Sequence, residues 1–364
     1  MKILFLGFTK ISYMPYMKLY LESLGEDAVA DLVYWDRDGR GDSPLPSRFR
    51  RAWKYEGRVE ETWSLRRKLP HFLRYRRLAL RAMRSDRYDL IVVLHSTPGL
   101  TVADRLLGRY RGRFILDYRD LSHEHISWYR RLVGRLVLAS RMTYVSSEGF
   151  LKYLPECDHL LLSHNLLTES LSHRDVRSAQ PHAHSPIRLH YWGLIRHADA
   201  NGVIIRALGG DRRFELHYHG REQDDARRMR ALVEELGADN VFFHGEYLPQ
   251  ERIDFAAETD ILLNVYDNDR ITVDATGNKY YDGIIFRLPQ LCTRGSLMGE
   301  LCERDGVGMT VALDSETVAD DIYDYYASID REVFDAACDA ALDRVMREHR
   351  ECLRTASELL SGEK

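Results

Sequence analysis

Short apolar runs alternate with amphipathic stretches along most of this chain, and they do so in two series. Runs with a strand pattern fall at 2–8, 30–35, 90–95, 114–118, 143–146 and 160–163. Helical periodicity lies between several of them, as at 13–24, 72–82, 101–110, 129–139 and 148–154. Strands separated by helices return to one sheet in parallel, through right-handed crossovers. A second series follows at 188–194, 214–219, 241–244, 261–265, 289–293 and 309–313, and from about 332 to 360 the pattern is helical. Between the series, residues 172–186 are rich in His, Ser, Arg and Pro and poor in large apolar side chains, which is the composition of a linker. The expected architecture is α/β, with two doubly wound, Rossmann-like parallel-sheet domains facing a cleft. They span 1–171 and 187–345, joined by a linker at 172–186, with a long C-terminal helix, 346–364, packing back on the first domain. A chain of 364 residues suits two such cores better than one.

Several function classes are disfavoured. No run approaches the roughly 20 apolar residues that span a bilayer. The start, Met1 to Gly7, reads as a strand and lacks the apolar core and cleavage site of a secretory signal. Five cysteines are scattered without C-x-x-C spacing, which fits a reducing, cytoplasmic setting and argues against a disulfide framework. No G-x-G-x-x-G follows a strand, and the P-loop and G-x-S-x-G signatures are absent, so dinucleotide oxidoreductases, P-loop hydrolases and α/β-hydrolases are disfavoured.

The net charge of −4 conceals an asymmetry. Residues 48–87 carry 14 Lys/Arg against 4 Asp/Glu, whereas 251–343 carry 7 against 21. The basic stretch is interleaved with Phe49, Trp53, Tyr55, Trp63, Leu65, Leu69, Phe72 and Leu73. Cations mixed with aromatics and leucines suit an anionic membrane surface. A solvated helix face is the alternative. Nucleic acid is a weaker one, because no nucleic-acid-binding motif accompanies the charge.

Open α/β sheets bind ligands beyond the carboxyl ends of their strands. In the second series those ends carry Gly193 and Arg196, then Gly220, then Gly245, Glu246 and Tyr247. Farther on comes Asp274-Ala275-Thr276-Gly277-Asn278-Lys279-Tyr280-Tyr281-Asp282-Gly283, followed by Arg287-Leu288-Pro289 and an apolar strand. A helix start with a glycine and a lysine suits a phosphate. An aspartate on the first turns of that helix can reach a ribose hydroxyl pair. This order of segments resembles the donor-binding half of retaining GT-B glycosyltransferases of group 1 (GT4-like), including those of bacterial polysaccharide synthesis. Asp274 and Asp282 are spaced as the family's E-x7-E element, with Asp in both places. The resemblance implies a nucleotide-diphospho-sugar donor, most simply a UDP-sugar, and a hexosyltransferase reaction with retention. Arg196 and Lys279 would stabilise the leaving diphosphate and Asp282 would hold the ribose. Asp274, Thr276, Gly277 and Asn278 would line the donor sugar and phosphates, and Gly193, Gly220, Gly245, Glu246 and Tyr247 would complete the donor pocket. Each residue also has an ordinary reading as a turn or helix cap.

In the first series, His95 ends a strand in Val92-Val93-Leu94-His95-Ser96-Thr97-Pro98 and Asp120 follows one in Asp117-Tyr118-Arg119-Asp120. These resemble the family's H-x-x-P loop and its x-D-x-R-D segment, with Ser-His where Trp-Pro is usual. The resemblance makes His95 and Asp120 candidates for the acceptor side, against readings as a core histidine and a structural Arg119–Asp120 pair. The acceptor implied is a saccharide or lipid-linked saccharide, at the inner face of the cytoplasmic membrane. His123/His125, His182/His184 and His217/His219 alternate but lack H-E-x-x-H spacing, so no metal and no other cofactor is expected. A nucleotide-sugar 2-epimerase and a non-catalytic sugar-binding scaffold of the same fold stay open.

Overall fold

The computed structural model describes residues 1–60, 63–175 and 186–361. The chain forms two compact units. One comprises residues 1–164 and 347–364, the other 165–346. Most of the segment 172–186 lies outside the described residues, as do His182 and His184.

The first unit holds a seven-stranded sheet: β1 (Lys2–Leu6), β2 (Val29–Asp36), β3 (Phe49–Glu56), β4 (Leu90–Leu94), β5 (Phe114–Tyr118), β6 (Met142–Val145) and β7 (Leu160–Leu162). Its order is β3-β2-β1-β4-β5-β6-β7, and all pairings are parallel. Helices on both faces explain why β4 and β5 read as continuous apolar runs: every residue of both is buried. β3 was not expected as a strand, since its sequence belongs to the basic stretch. It is an edge strand, where charge is tolerated. Arg50 and Arg51 turn onto the fully buried Asp31 of β2, at 2.6 and 3.2 Å.

The second unit holds β8 (Ile187–Trp192), β9 (Phe214–His219), β10 (Val241–Gly245), β11 (Ile261–Asn264), β12 (Gln290–Thr293) and β13 (Gly308–Val311). The order is β10-β9-β8-β11-β12-β13, again all parallel. The order reverses between β8 and β11, so the crevice beyond their carboxyl ends is the topological switch point. Alternate residues of β8, β11 and β12 enter different cores. Leu189 and Tyr191 of β8 pack into one apolar cluster, while Trp192 joins another with Tyr281, Ile285 and Leu342.

A final helix, Arg331–Leu360, begins in the second unit and ends in the first. Its Phe334, Cys338 and Leu342 belong to the core of the second unit, and its Cys352, Ala356 and Leu360 to that of the first.

Candidate functional site

The switch point of the second sheet gathers most of the donor-side candidates. Gly193 follows β8, Gly220 follows β9 and Gly245 ends β10, with φ of 123°, 149° and 81°. They step across the sheet edge through backbone bonds, Gly220 N to Gly245 O at 2.7 Å and Gly193 N to His219 O at 3.0 Å. A Cβ on Gly220 would sit 1.6 Å from the Gly193 carbonyl oxygen, so this terrace admits no side chain there.

The helix Asn278–Phe286 starts at Gly277, its N-cap residue, and carries no acidic residue in its first turn. Its end is set by Arg287 in the left-handed region and by Leu288-Pro289, which no helix continues through. Lys279 lies on its first turn, 5% exposed. The Nζ sits 3.5 Å from the ring centre of Tyr191 and 4.7 Å from that of Tyr266. Among the described residues no carboxylate forms an ion pair with Lys279 or with the exposed Arg196. Burial pushes the lysine's pKa well down, and the neighbouring Arg196 guanidinium pushes it further. Lys279 and Arg196 thus act on each other at the carboxyl edge of the sheet, and Asp282, one turn along the helix, offsets their repulsion only in part. Aromatic faces supply only part of what an ammonium loses with its water.

Asp282 lies one turn beyond Lys279 and is buried. Its Oδ2 accepts from Trp192 Nε1 at 2.8 Å and lies 3.2 Å from Arg252 Nη1. Burial raises its pKa, and Arg252 and the indole N–H oppose the rise. The carboxylate is therefore fixed in orientation by two donors and retains further lone pairs. Asp274, Thr276 and Gly277 precede the helix, with Asp274 and Thr276 buried. The Gly277 N–H points to Met298 Sδ, 3.2 Å away. Tyr247 packs edge-on against Phe255, its phenol pushed up to about 12 by burial, while Glu246 is exposed.

Four residues of this site carried no signal in the sequence. Tyr191 and Tyr266 flank the lysine, and Trp192 and Arg252 hold the aspartate. Arg252 is separated from Asp282 by 30 positions, and only the fold brings them together.

The first unit holds the other two candidates. His95 leaves β4 at φ 96°, a strained conformation for a non-glycine residue. Its Nδ1 accepts from Thr97 N at 3.2 Å, which assigns the proton of the neutral ring to Nε2. That nitrogen faces Asp120 Oδ2 at 3.9 Å. Burial lowers the pKa of His95, with Asp120 opposing it. Arg119 does not pair with Asp120. It turns inward to the buried Asp117, with Nη2 3.0 Å from Oδ2. Asp120 is left with 67% of its side chain exposed.

His123 and His125 stack edge to face at 6.1 Å, and Glu124 between them takes the Ser122 N–H. Among the described residues no group of three or more His, Cys, Asp or Glu side chains is arranged to hold a metal ion.

No protein-family model matches this chain, and no curated protein matches it in sequence. Solved structures match it in shape along nearly its whole length. Sucrose-phosphate synthase from Thermosynechococcus elongatus is 13% identical over 98% of both chains, with a TM-score of 0.68. HepE from Anabaena, in complex with UDP and glucose, is 16% identical over 98% of this chain and 100% of its own, with a TM-score of 0.67. A glycosyltransferase from Rickettsia africae is 12% identical over 100% of both chains, with a TM-score of 0.66. The chain therefore has the GT-B fold: two Rossmann-like parallel-sheet units and a long terminal helix.

Proposed function

We propose that this protein is a glycosyltransferase that takes a nucleotide-diphospho sugar, most simply a UDP-sugar, as donor. The observation that carries the reading is buried Lys279 on the first turn of the helix at the switch point, its Nζ over the rings of Tyr191 and Tyr266, with Arg196 near it and, among the described residues, no carboxylate ion-paired with either. A diphosphate is the ligand that two such cations want, and the terrace of Gly193, Gly220 and Gly245 leaves room for backbone to approach it. HepE, which has the same fold, was solved with UDP and glucose.

In this reading the C1–O bond to the diphosphate breaks through an oxocarbenium-like state, and the electron pair stays on the diphosphate oxygen. Arg196 and Lys279 stabilise the charge that grows there. Asp282, oriented by Trp192 and Arg252, accepts the ribose hydroxyls. The acceptor is assigned to His95 and Asp120, and its hydroxyl proton passes to the Asp120 carboxylate as the new glycosidic bond forms. Retention, and a saccharide or lipid-linked saccharide acceptor of bacterial surface polysaccharide, follow the sequence resemblance. No resident metal is invoked, because the two cations take the role of countering the diphosphate.

A thermal-shift panel of UDP, GDP, CDP and their sugars tests the donor site. A ligand that binds only the folded state at 100 times its Kd stabilises by about 2.7 kcal/mol. One nucleotide series should raise the melting temperature of the wild type and fail to do so for Arg196→Ala. No shift with any nucleotide would overturn the reading. Donor binding with transfer to no acceptor would leave a sugar-binding scaffold, and turnover of donor alone to its 2-epimer would make it an epimerase.

A further inference from the structure

The helix Leu65–Ser85 uses only one side to pack on its sheet. Tyr75, Ala79, Ala82 and Met83 are buried, and Phe72 stacks on Phe8. The Tyr75 hydroxyl donates to Gly7 O at 2.6 Å, which ties that side down. The leucines do not follow. Leu65, Leu69 and Leu73, one turn apart in succession, are 71%, 52% and 47% exposed. Scattered exposed leucines are ordinary, but three in one row on one helix form a stripe.

The row beside that stripe is cationic. Arg66, Arg74, Arg77 and Arg81 are exposed, and among the described residues none is paired with a carboxylate. Arg76, by contrast, is tied to Asp104 at 2.8 Å and belongs to the fold. The helix connects β3 to the parallel β4, so its first turns lie at the carboxyl edge of the sheet. His95 and Asp120 lie at that same edge. The stripe is thus at the end of the unit where the acceptor candidates are.

We propose that this face seats the first unit on an anionic lipid surface, with Leu65, Leu69 and Leu73 entering the acyl boundary and Arg66, Arg74, Arg77 and Arg81 meeting the headgroups. The charge decides the occupant: an apolar row bordered by exposed arginines complements a surface that is apolar inside and anionic at its face. A protein partner would need carboxylates on one side of its own apolar ridge, and a nucleic acid would have no use for the leucines. The binding surface lies on the first unit and does not rest on the donor-site reading. Its orientation toward a lipid-linked acceptor does rest on that reading.

Co-sedimentation of the full chain with vesicles tests the proposal, at low salt, comparing phosphatidylcholine alone with a phosphatidylcholine–phosphatidylglycerol mixture. Wild type should pellet with the anionic vesicles and stay in solution with the neutral ones. Each exposed cation at such a surface strengthens binding about fivefold. A variant with Arg74→Gln, Arg77→Gln and Arg81→Gln should therefore lose more than about tenfold in partition. A variant with Leu65→Ser, Leu69→Ser and Leu73→Ser should lose as much, because the apolar contribution goes with the leucines. These side chains are exposed, so both variants should melt as wild type does. If either melts early, the single changes Leu69→Ser and Arg77→Gln are read in the same assay. The idea fails if wild type does not pellet, if it pellets equally with neutral vesicles, or if the leucine variant partitions like wild type, which would make the face a general polyanion surface. Nucleotide-induced thermal shifts, measured on the same samples, should be unchanged in both variants.

Discussion

A lysine buried beside an arginine, with aromatic rings in place of a carboxylate, destabilises the protein that carries it. The folded-state pKa of Lys279 lies below its unfolded value, so at neutral pH the unfolded chain holds a proton that the folded one resists. Lys279→Met should therefore raise the melting temperature of the ligand-free protein. The same change should weaken nucleotide-diphosphate binding by about 10- to 100-fold, the equivalent of roughly 1.4 to 2.7 kcal/mol. Calorimetry and a thermal melt on one sample read both effects. A variant that is less stable and binds as before would show the lysine to be structural. Asp282 differs from Lys279 in having two donors within the fold, Trp192 and Arg252, and it keeps further lone pairs for a ligand. Asp282→Asn removes the charge opposite Arg252 but keeps an oxygen acceptor for the Trp192 N–H, so the fold should survive it. The change should weaken nucleotide binding. Asp120→Asn, at an exposed position, should leave stability and nucleotide affinity as they are and slow transfer. Equal loss of nucleotide affinity in both variants would contradict the division of roles.

Strands β8, β9 and β10 carry a feature of their own. His190, His217, His219 and His244 stack across one face, with ring centres 4.5 Å apart for His190–His217 and 4.3 Å for His219–His244. Phe255 caps the stack on His219 at 3.8 Å. His190 has neither ring nitrogen hydrogen-bonded. Burial first, and the neighbouring imidazoles second, push His190 down to about 2 and His219 to about 3. Folded pKa values below the unfolded 6.5 mean that stability is intact above about pH 6.5. It is lost as pH falls, because the unfolded chain takes up protons that the folded one refuses. His190 alone should contribute a slope of about 1.4 kcal/mol per pH unit in the acid range. Urea unfolding between pH 7 and pH 5 should show that slope reduced in His190→Leu. An unchanged slope would place the acid sensitivity elsewhere. Glu215, 3.4 Å from His217, opposes the fall at that histidine.

At the scale of the molecule, the helix Arg331–Leu360 supplies apolar side chains to both cores. Ala356 and Leu360 are fully buried within the first unit, although nearly two hundred residues separate them from the rest of it. Tyr144 donates to Cys352 O at 3.4 Å, and His164 pairs with Glu348 at 2.5 Å. Leu360→Ala should cost about 2 to 4 kcal/mol, as for other buried leucines. The loss should appear in the unfolding of the first unit while nucleotide binding by the second persists. Hydrogen exchange would localise it, and protection lost in the second unit alone would contradict the packing described.

The alternation of strand and helix patterns determined the fold class, because the period of apolar residues dictates which faces can be buried. Parallel strands buried on both faces read plainly, as β4 and β5 do. β3 did not, since an edge strand keeps its arginines and declares itself only once Asp31 lies beneath them. Of the candidate site, the sequence by itself determined the candidates: glycines at the strand ends, Arg196 beyond the first of them, Lys279 and Asp282 at a helix start, and His95 and Asp120. Only the tertiary structure decided what each one touches. It put Lys279 between two tyrosines, tied Asp282 to an arginine 30 positions away, and turned Arg119 from Asp120 to Asp117. It also left three leucines of a basic helix in solvent while their neighbours filled the core. Periodicity is a local property that the chain carries with it, whereas a partner for a charge comes from another element, and sheet order decides which element that is.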